Sequence, residues 1–303
     1  MHKVSSRQTC PKHAHTHEGS AEHQHGEPHT HHEHEAHNGH GEHNGHQHEH
    51  GHHHIHPKAG SSTLVIRPYT GIAGDIMVAG LAGLLGADQD VLDEIIAGIG
   101  IKELPPSSFV LSVRMVNAVS GLGGTVNLPH EHAHRSFKDI HALIESSSML
   151  SEAKALAVDA FRIIAEAEGA VHGKDAESVT FHEVGALDSI LDICLAASLF
   201  TRLAPESFIC GPLPVCDGTI TCAHGEIPSP APAVMRMLHD VPITGFPGVG
   251  ETVTPTGIAL LKAFGAQFGP WPSMILERET IAYGTKVFPN VPNGAVFAFG
   301  TRR

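Results

Sequence analysis

The chain has 303 residues and a formal net charge of −13 with its histidines neutral. An acidic chain without clustered Lys and Arg excludes binding along a nucleic-acid backbone, and no run of 18 or more apolar residues is present to cross a membrane. Five scattered cysteines read as free thiols and not as a disulfide framework, and the absence of an apolar signal segment at the N-terminus makes the cytoplasm the expected compartment.

Composition divides the chain in two. Of 28 histidines, 20 fall between His2 and His56, interspersed with Glu, Gly, Asn and Gln. A segment with so few aliphatic residues cannot bury enough apolar surface to offset its chain entropy, so residues 1–60 are expected to be a disordered arm. Closely spaced neutral imidazoles can share one transition-metal ion without a folded scaffold, and the run His52, His53, His54 is the densest point. Affinity alone does not let such an arm choose nickel over copper or zinc. Residues 61–303 carry the apolar runs of a globular body, which is also where most of the acidity lies.

The body opens with a strand at Leu64–Ile66, then a glycine-bearing turn, TGIAGD (70–75), and an apolar helix from about Asp75. Asp88–Ile99 reads as a second helix with Val91, Leu92, Ile95 and Ile96 on one face, stopped by the PPSS segment. The segment FVLSVRMVNAVSGLGGTVNL reads as two strands that turn around Gly121–Gly124. Two helices follow in the SFKDIHALIESSS and SEAKALAVDAFRIIAEAEGAVHG segments, and a third after FHEVGA. The Pro- and Gly-rich remainder contains strand-like pieces such as SFIC and SMILE. Helices and strands interleave, so the expected class is a mixed α/β body behind a histidine-rich arm.

Three clusters carry chemistry. In HEHAH, His130, His132 and His134 alternate and so share one face of an extended segment, with His141 two helical turns beyond. In FHEVGALDSILD, His182 and Glu183 precede a glycine turn, and Asp188 and Asp192 stand one helical turn apart, a pair suited to a cation or to acid–base work. The turn containing Gly71, Gly74 and Asp75 can present helix N-terminal amides to a phosphate, although it matches neither the Walker nor the dinucleotide pattern. Two weaker signals are the alternation Cys222, His224, Glu226 and a turn with Glu251, Thr254 and Thr256 ahead of a helix. Cys216 and Cys222 are too far apart for a zinc knuckle.

In this order, TGIAGD, HEHAHRS, AEAEGAVHG, FHEVGALDSILDI, PLPVCDGTITCAHGEIPSPAPAV and GETVTPTGIALLKAFG resemble the LarC family of nickel-insertion proteins, over about residues 63–300. The resemblance implies a lyase-class nickel chelatase that loads Ni2+ into a pyridinium bisthiocarboxylate mononucleotide, the nickel-pincer cofactor of lactate racemase-type enzymes. It also implies use of CTP with Mn2+ or Mg2+. On this reading Glu183 and Asp188 are catalytic. Gly71, Gly74, Asp75, Thr254 and Thr256 contact the nucleotide, and His130, His132, His134 and His182, with His52–His54 of the arm, hold metal. Arg67 stands where the family has Asp, and Glu131 and Ala133 interrupt its histidine run. The resemblance implies a C-terminal CTP-binding domain beyond the residues matched here, which is expected to be missing from this chain, so the expected partners are a separate C-terminal chain and a downstream lactate racemase-type apoenzyme. Without the resemblance, the residues also suit a nickel store or metallochaperone, or a metal-dependent hydrolase built on the three-histidine cluster.

Overall fold

The computed structural model describes residues 59–129, 135–181, 184–222 and 225–303. The body is α/β. Strand β1 (Ser62–Pro68) leads through the glycine turn into helices α1 (Gly74–Leu85) and α2 (Gln89–Ile99). The hairpin β2 (Phe109–Val116) and β3 (Val119–Val126) follows, then helices α3 (Phe137–Ser146), α4 (Ser151–His172) and α5 (Leu187–Leu203). Strands β4 (Ser207–Cys210), β5 (Leu213–Val215), β6 (Thr219–Cys222) and β7 (Gly225–Pro228) precede α6 (Pro232–Met237), β8 (Ile243–Gly245) and α7 (Pro255–Ala263). The chain closes with β9 (Gln267–Phe268), β10 (Met274–Ala282) and β11 (Ala295–Arg302).

Seven strands form one mixed sheet in the order β2-β3-β10-β11-β1-β4-β9, with β1 parallel to β4 and antiparallel to β11. Strand alternation on β1 sends Leu64 and Ile66 into the main core, while Val65 packs with Ile209 and Ala298 on the opposite face. Helix α1 is apolar around most of its circumference and is buried accordingly. It packs on α5, whose run of Leu, Ile, Cys and Ala side chains is also buried. The amphipathic α2 begins at Asp88, whose carboxylate accepts a hydrogen bond from the Val91 amide at 3.1 Å, a cap worth about 1 kcal/mol. Helix α3 starts with a capping box in which Ser136 and Asp139 satisfy each other's backbone amides.

The β2–β3 reversal departs from the sequence expectation. The turn falls at Asn117 and Ala118, both at positive φ, and Gly121–Gly124 lie inside β3. Two residues at positive φ suit the twist of a tight hairpin. The glycines serve the neighbouring strand instead. A Cβ at Gly124 would sit 2.1 Å from the Phe109 ring, and one at Gly123 would sit 2.3 Å from the Arg114 side chain.

The turn after β1 is zipped to the segment before α7. The Ile72 amide donates to the Thr252 carbonyl at 2.9 Å, and the Thr254 amide donates back to the Ile72 carbonyl at 3.1 Å. Gly71 permits this approach. Its φ is +121°, and a Cβ there would stand 1.6 Å from the Thr252 oxygen. From the other side, a Cβ at Gly257 would lie 2.4 Å from the Ile72 oxygen. Gly71→Ala combines a forbidden φ with backbone overlap and is expected to cost on the order of 3 kcal/mol or more. Thermal unfolding should show this as a midpoint lower by about 10 °C.

Candidate functional site

The zipper sets the N-termini of α1 and α7 side by side, and α5 begins against the same space. Between them lies a cavity of about 850 Å³. Its floor comes from Gly74 and Asp75 on α1, Asp188 and Asp192 on α5, and Thr254 and Thr256 on α7. Pro129, Val184, Glu251 and Thr285 stand around it. The first amides of any helix lack intrahelical partners, so these three N-termini offer donors and partial positive charge. Neither α1 nor α5 has a side-chain cap at its first residue. Helix α7 is capped by Thr254, whose hydroxyl accepts from the Gly257 amide at 3.1 Å and lies 3.0 Å from the Thr256 hydroxyl.

Carboxylates dominate the interior, and among the described residues no Lys or Arg lines the cavity. Asp75 accepts from the Ile76 amide at 2.9 Å; burial raises its pKa, partly offset by that bond and by Arg114. Asp188 accepts from the Ser189 amide at 2.6 Å. Asp192 is the outlier. Its Oδ1 is sealed from solvent with no hydrogen-bond partner. Burial, and then the negative charges of Asp75 and Asp188, push its pKa well above the ordinary carboxylate range. Gly74 makes its position possible, since a Cβ there would fall 2.5 Å from Asp192 Oδ2. Among the described residues no group of three or more His, Cys, Asp or Glu is arranged to hold a metal ion. The three aspartates share a field without forming a coordination cage.

The structure therefore brings together Gly74, Asp75, Asp188, Thr254 and Thr256 around one cavity, with Gly71 behind them in the zipper. His52, His53, His54, His130, His132, His134, His182, Glu183 and His224 lie outside the described residues. The residues flanking two of these segments are joined. The Phe181 amide donates to the Arg135 carbonyl at 3.0 Å, Arg135 Nη1 donates to the Gly185 carbonyl at 2.8 Å, and Ser136 bridges Thr180. His141 turns to its own helix, stacking on Phe137 and approaching Glu145 at 3.7 Å, and it does not line the cavity. Cys222 and Glu226 do not share one extended strand as their alternation suggests. Cys222 ends β6 opposite Gly225, and Glu226 lies on β7 opposite Thr221. Arg67 is also away from the cavity. It donates to the Gly269 carbonyl at 2.7 Å and stacks over Trp271, so it forms no part of the cavity wall.

The coupling of Asp75 on α1 to the Asp188–Asp192 pair was not visible in sequence. The helical spacing of the pair was, but nothing local links it to a residue more than a hundred positions earlier. A raised folded-state pKa for Asp192 means that its contribution to stability is fully present below the unfolded carboxylate range and is lost as pH rises through the raised value. Asp192→Asn keeps the neutral shape throughout. Its thermal midpoint is expected to exceed that of the native protein near pH 8, by about 2–4 °C for each kcal/mol of relief. The gap should close toward about pH 4, as unfolding scans across that range would show.

No helix among the described residues is long and apolar enough to cross a membrane. The nickel insertion protein family matches residues 64–299. Three curated relatives named for nickel insertion are similar over this region. The protein from Myxococcus xanthus is 42% identical over 234 residues, covering 76% of this chain and 58% of the relative. Those from Geotalea daltonii and Geobacter sulfurreducens are each 40% identical and cover 74% of this chain, with 57% and 58% of their own lengths matched. The chain thus spans little more than half the length of these relatives. No solved structure matches it. A match to nearly the whole body, at about 40% identity to proteins named for the same role, means that the chain belongs to the nickel insertion protein family.

Proposed function

We propose that this chain inserts nickel into a pyridinium bisthiocarboxylate mononucleotide, the cofactor of lactate racemase-type enzymes, as the N-terminal component of a lyase-class chelatase. The observation that carries this reading is the joining of the Arg135 and Phe181–Gly185 segments beside the acidic cavity, which Pro129 and Val184 line. The chain neighbours of those residues are the ligand-type side chains His130, His132, His134, His182 and Glu183, which on this reading bind the nickel. The arm gathers the ion, since 20 imidazoles within 56 residues capture divalent transition metals by number.

Chemistry at the cavity follows from charge. A field made by Asp75, Asp188 and Glu251 favours Ni2+ and the positively charged pyridinium nitrogen. Forming a nickel–carbon bond at the ring displaces a proton from that carbon, which the exposed Asp188 carboxylate accepts, with Glu183 as the second base of this reading. The nucleotide phosphate takes the helix N-terminal amides beside Gly74 and Thr256, with Mn2+ or Mg2+ offsetting the carboxylates. The reaction uses CTP with Mn2+ or Mg2+ and takes place in the cytoplasm before a lactate racemase-type apoenzyme is loaded.

Mass spectrometry of the mononucleotide after incubation with Ni2+, CTP and Mn2+, with and without a family C-terminal chain, tests this reading. Nickel incorporation is expected to fall at least about tenfold in Asp188→Asn, His132→Ala and His182→Ala, the range typical of losing a positioned acid–base or ligand group. Incorporation that is unchanged in all three variants overturns it.

A further inference from the structure

The seven-stranded sheet ends at β2, whose far edge has no strand beside it among the described residues. Phe109–Val116 pairs with β3 in unbroken register, without a bulge. The two-residue turn makes Val116 and Val119 a hydrogen-bonded pair, and an antiparallel ladder alternates from there. Val110, Ser112 and Arg114 therefore bond β3, while Leu111, Val113 and Met115 turn their amides and carbonyls outward. Among the described residues nothing bonds these outward groups. The Phe109 carbonyl ahead of them is taken, accepting from Gln89 Nε2 at 2.9 Å.

Edge strands that stay unpaired commonly carry a Lys, a Pro or a bulge that deters a second strand. Strand β2 has none of these. Its one charged side chain, Arg114, lies back across β3, donating to the Gly124 carbonyl at 2.6 Å and to the Thr125 hydroxyl at 3.2 Å. The side chains beside the outward amides are apolar. Val113 is 70% and Met115 64% exposed, and Leu111 is half-buried. Charge points the same way, because the chain carries −13 and yet residues 104–129 contain no Asp or Glu. Two acidic copies can meet at this segment without opposing carboxylates from it.

We propose that β2 is a self-association edge, on which a second copy of this chain lays its own β2 antiparallel about a two-fold axis at Val113. Val113 then stands opposite its twin, and Leu111 stands opposite Met115 of the second copy. The outward groups meet as hydrogen-bonded pairs, each exchanging both main-chain bonds, and the apolar side chains share one face of the joined sheet. Phe109 and the turn at Asn117 bound the free stretch, so this register is the one that uses all three outward residues. The interface is self-complementary, as a two-fold contact requires. A single strand edge belongs with the small interfaces, below about 1,200 Å² in total, that associate weakly, so dissociation is expected in the micromolar range. Gly124 and Thr125, which line the acidic cavity, pair with Leu111 and Val110, so only β2 separates the second copy from that wall.

Sedimentation velocity of the full chain with a chelator present, so that its histidines cannot bridge copies through metal, tests the proposal. The native chain should pass from monomer to dimer across the micromolar range. Val113→Lys and Val113→Glu each set like charges opposite one another at the axis and should weaken dimerisation at least about tenfold. Mixed in equal amounts, the two variants should dimerise at least about tenfold more tightly than either alone, because opposite charges then face each other. Both changes fall on a side chain that lies mostly in solvent, and unfolding scans check that the fold is retained. Met115→Lys, which should also weaken the dimer, carries the test if the variants at Val113 do not fold. A native chain that stays monomeric, a dimer that none of the substitutions weakens, or a Lys–Glu mixture that stays monomeric overturns the proposal.

Discussion

Backbone contact between the turn at Gly71 and the segment at Thr252 is the constraint on which the cavity depends. The two amide–carbonyl bonds between Ile72, Thr252 and Thr254 require main chains to approach more closely than any β-carbon at position 71 or 257 allows. Each bond contributes only about 1 kcal/mol on its own. Their consequence is geometric, because α1 and α7 each begin within two residues of the zipper and must point their N-termini at a common space. Helix α5, packed on α1, completes the set. A site made of three helix N-termini gains fixed dipoles and unpaired amides without spending any charged side chain.

Carboxylates placed in that same space set up an opposing field. Among the described residues Asp192 has neither a hydrogen-bond partner for its buried oxygen nor a counter-charge in the cavity, and the protein keeps it there by leaving Gly74 without a side chain. A buried group that opposes stability in this way is of the kind found at functional sites, where electrostatic strain is relieved when a ligand arrives. Positive charge is the relief that this cavity lacks. Amides suited to an anion and carboxylates suited to a cation stand side by side around this one cavity.

Arg135 provides the second connection. Its carbonyl and guanidinium bind the chain on either side of residues 182–183, so the segment after β3 and the segment before α5 are held together although they are about fifty residues apart. Helix α3, fixed at its start by the Ser136–Asp139 capping box, sets the direction in which the first segment leaves. The arrangement uses local capping chemistry to orient a long-range contact.

Helices α1 to α5 and α7 and strands β1 to β4 and β10 were legible in sequence because their signals are local: the apolar period of α2, the Asp88 and Ser136 caps, and the alternation at β1. The β2–β3 turn was misplaced because glycine marks both turns and tight cross-strand packing, and only the partner strand shows that Gly123 and Gly124 make room for Arg114 and Phe109. Sequence by itself determined the family, through the order of its motifs, and it named Gly74, Asp75, Asp188, Thr254 and Thr256 as candidate site residues. It could not determine that these five surround one cavity, that Asp75 raises the pKa of Asp192, or that Arg67 and His141 stand apart from it. Those facts depend on which distant main chains touch, and that is decided by packing among α1, α5, α7 and the sheet. Spacing along the chain reports the neighbours within one turn or one strand, whereas a field inside a cavity sums over every charge that the fold brings near.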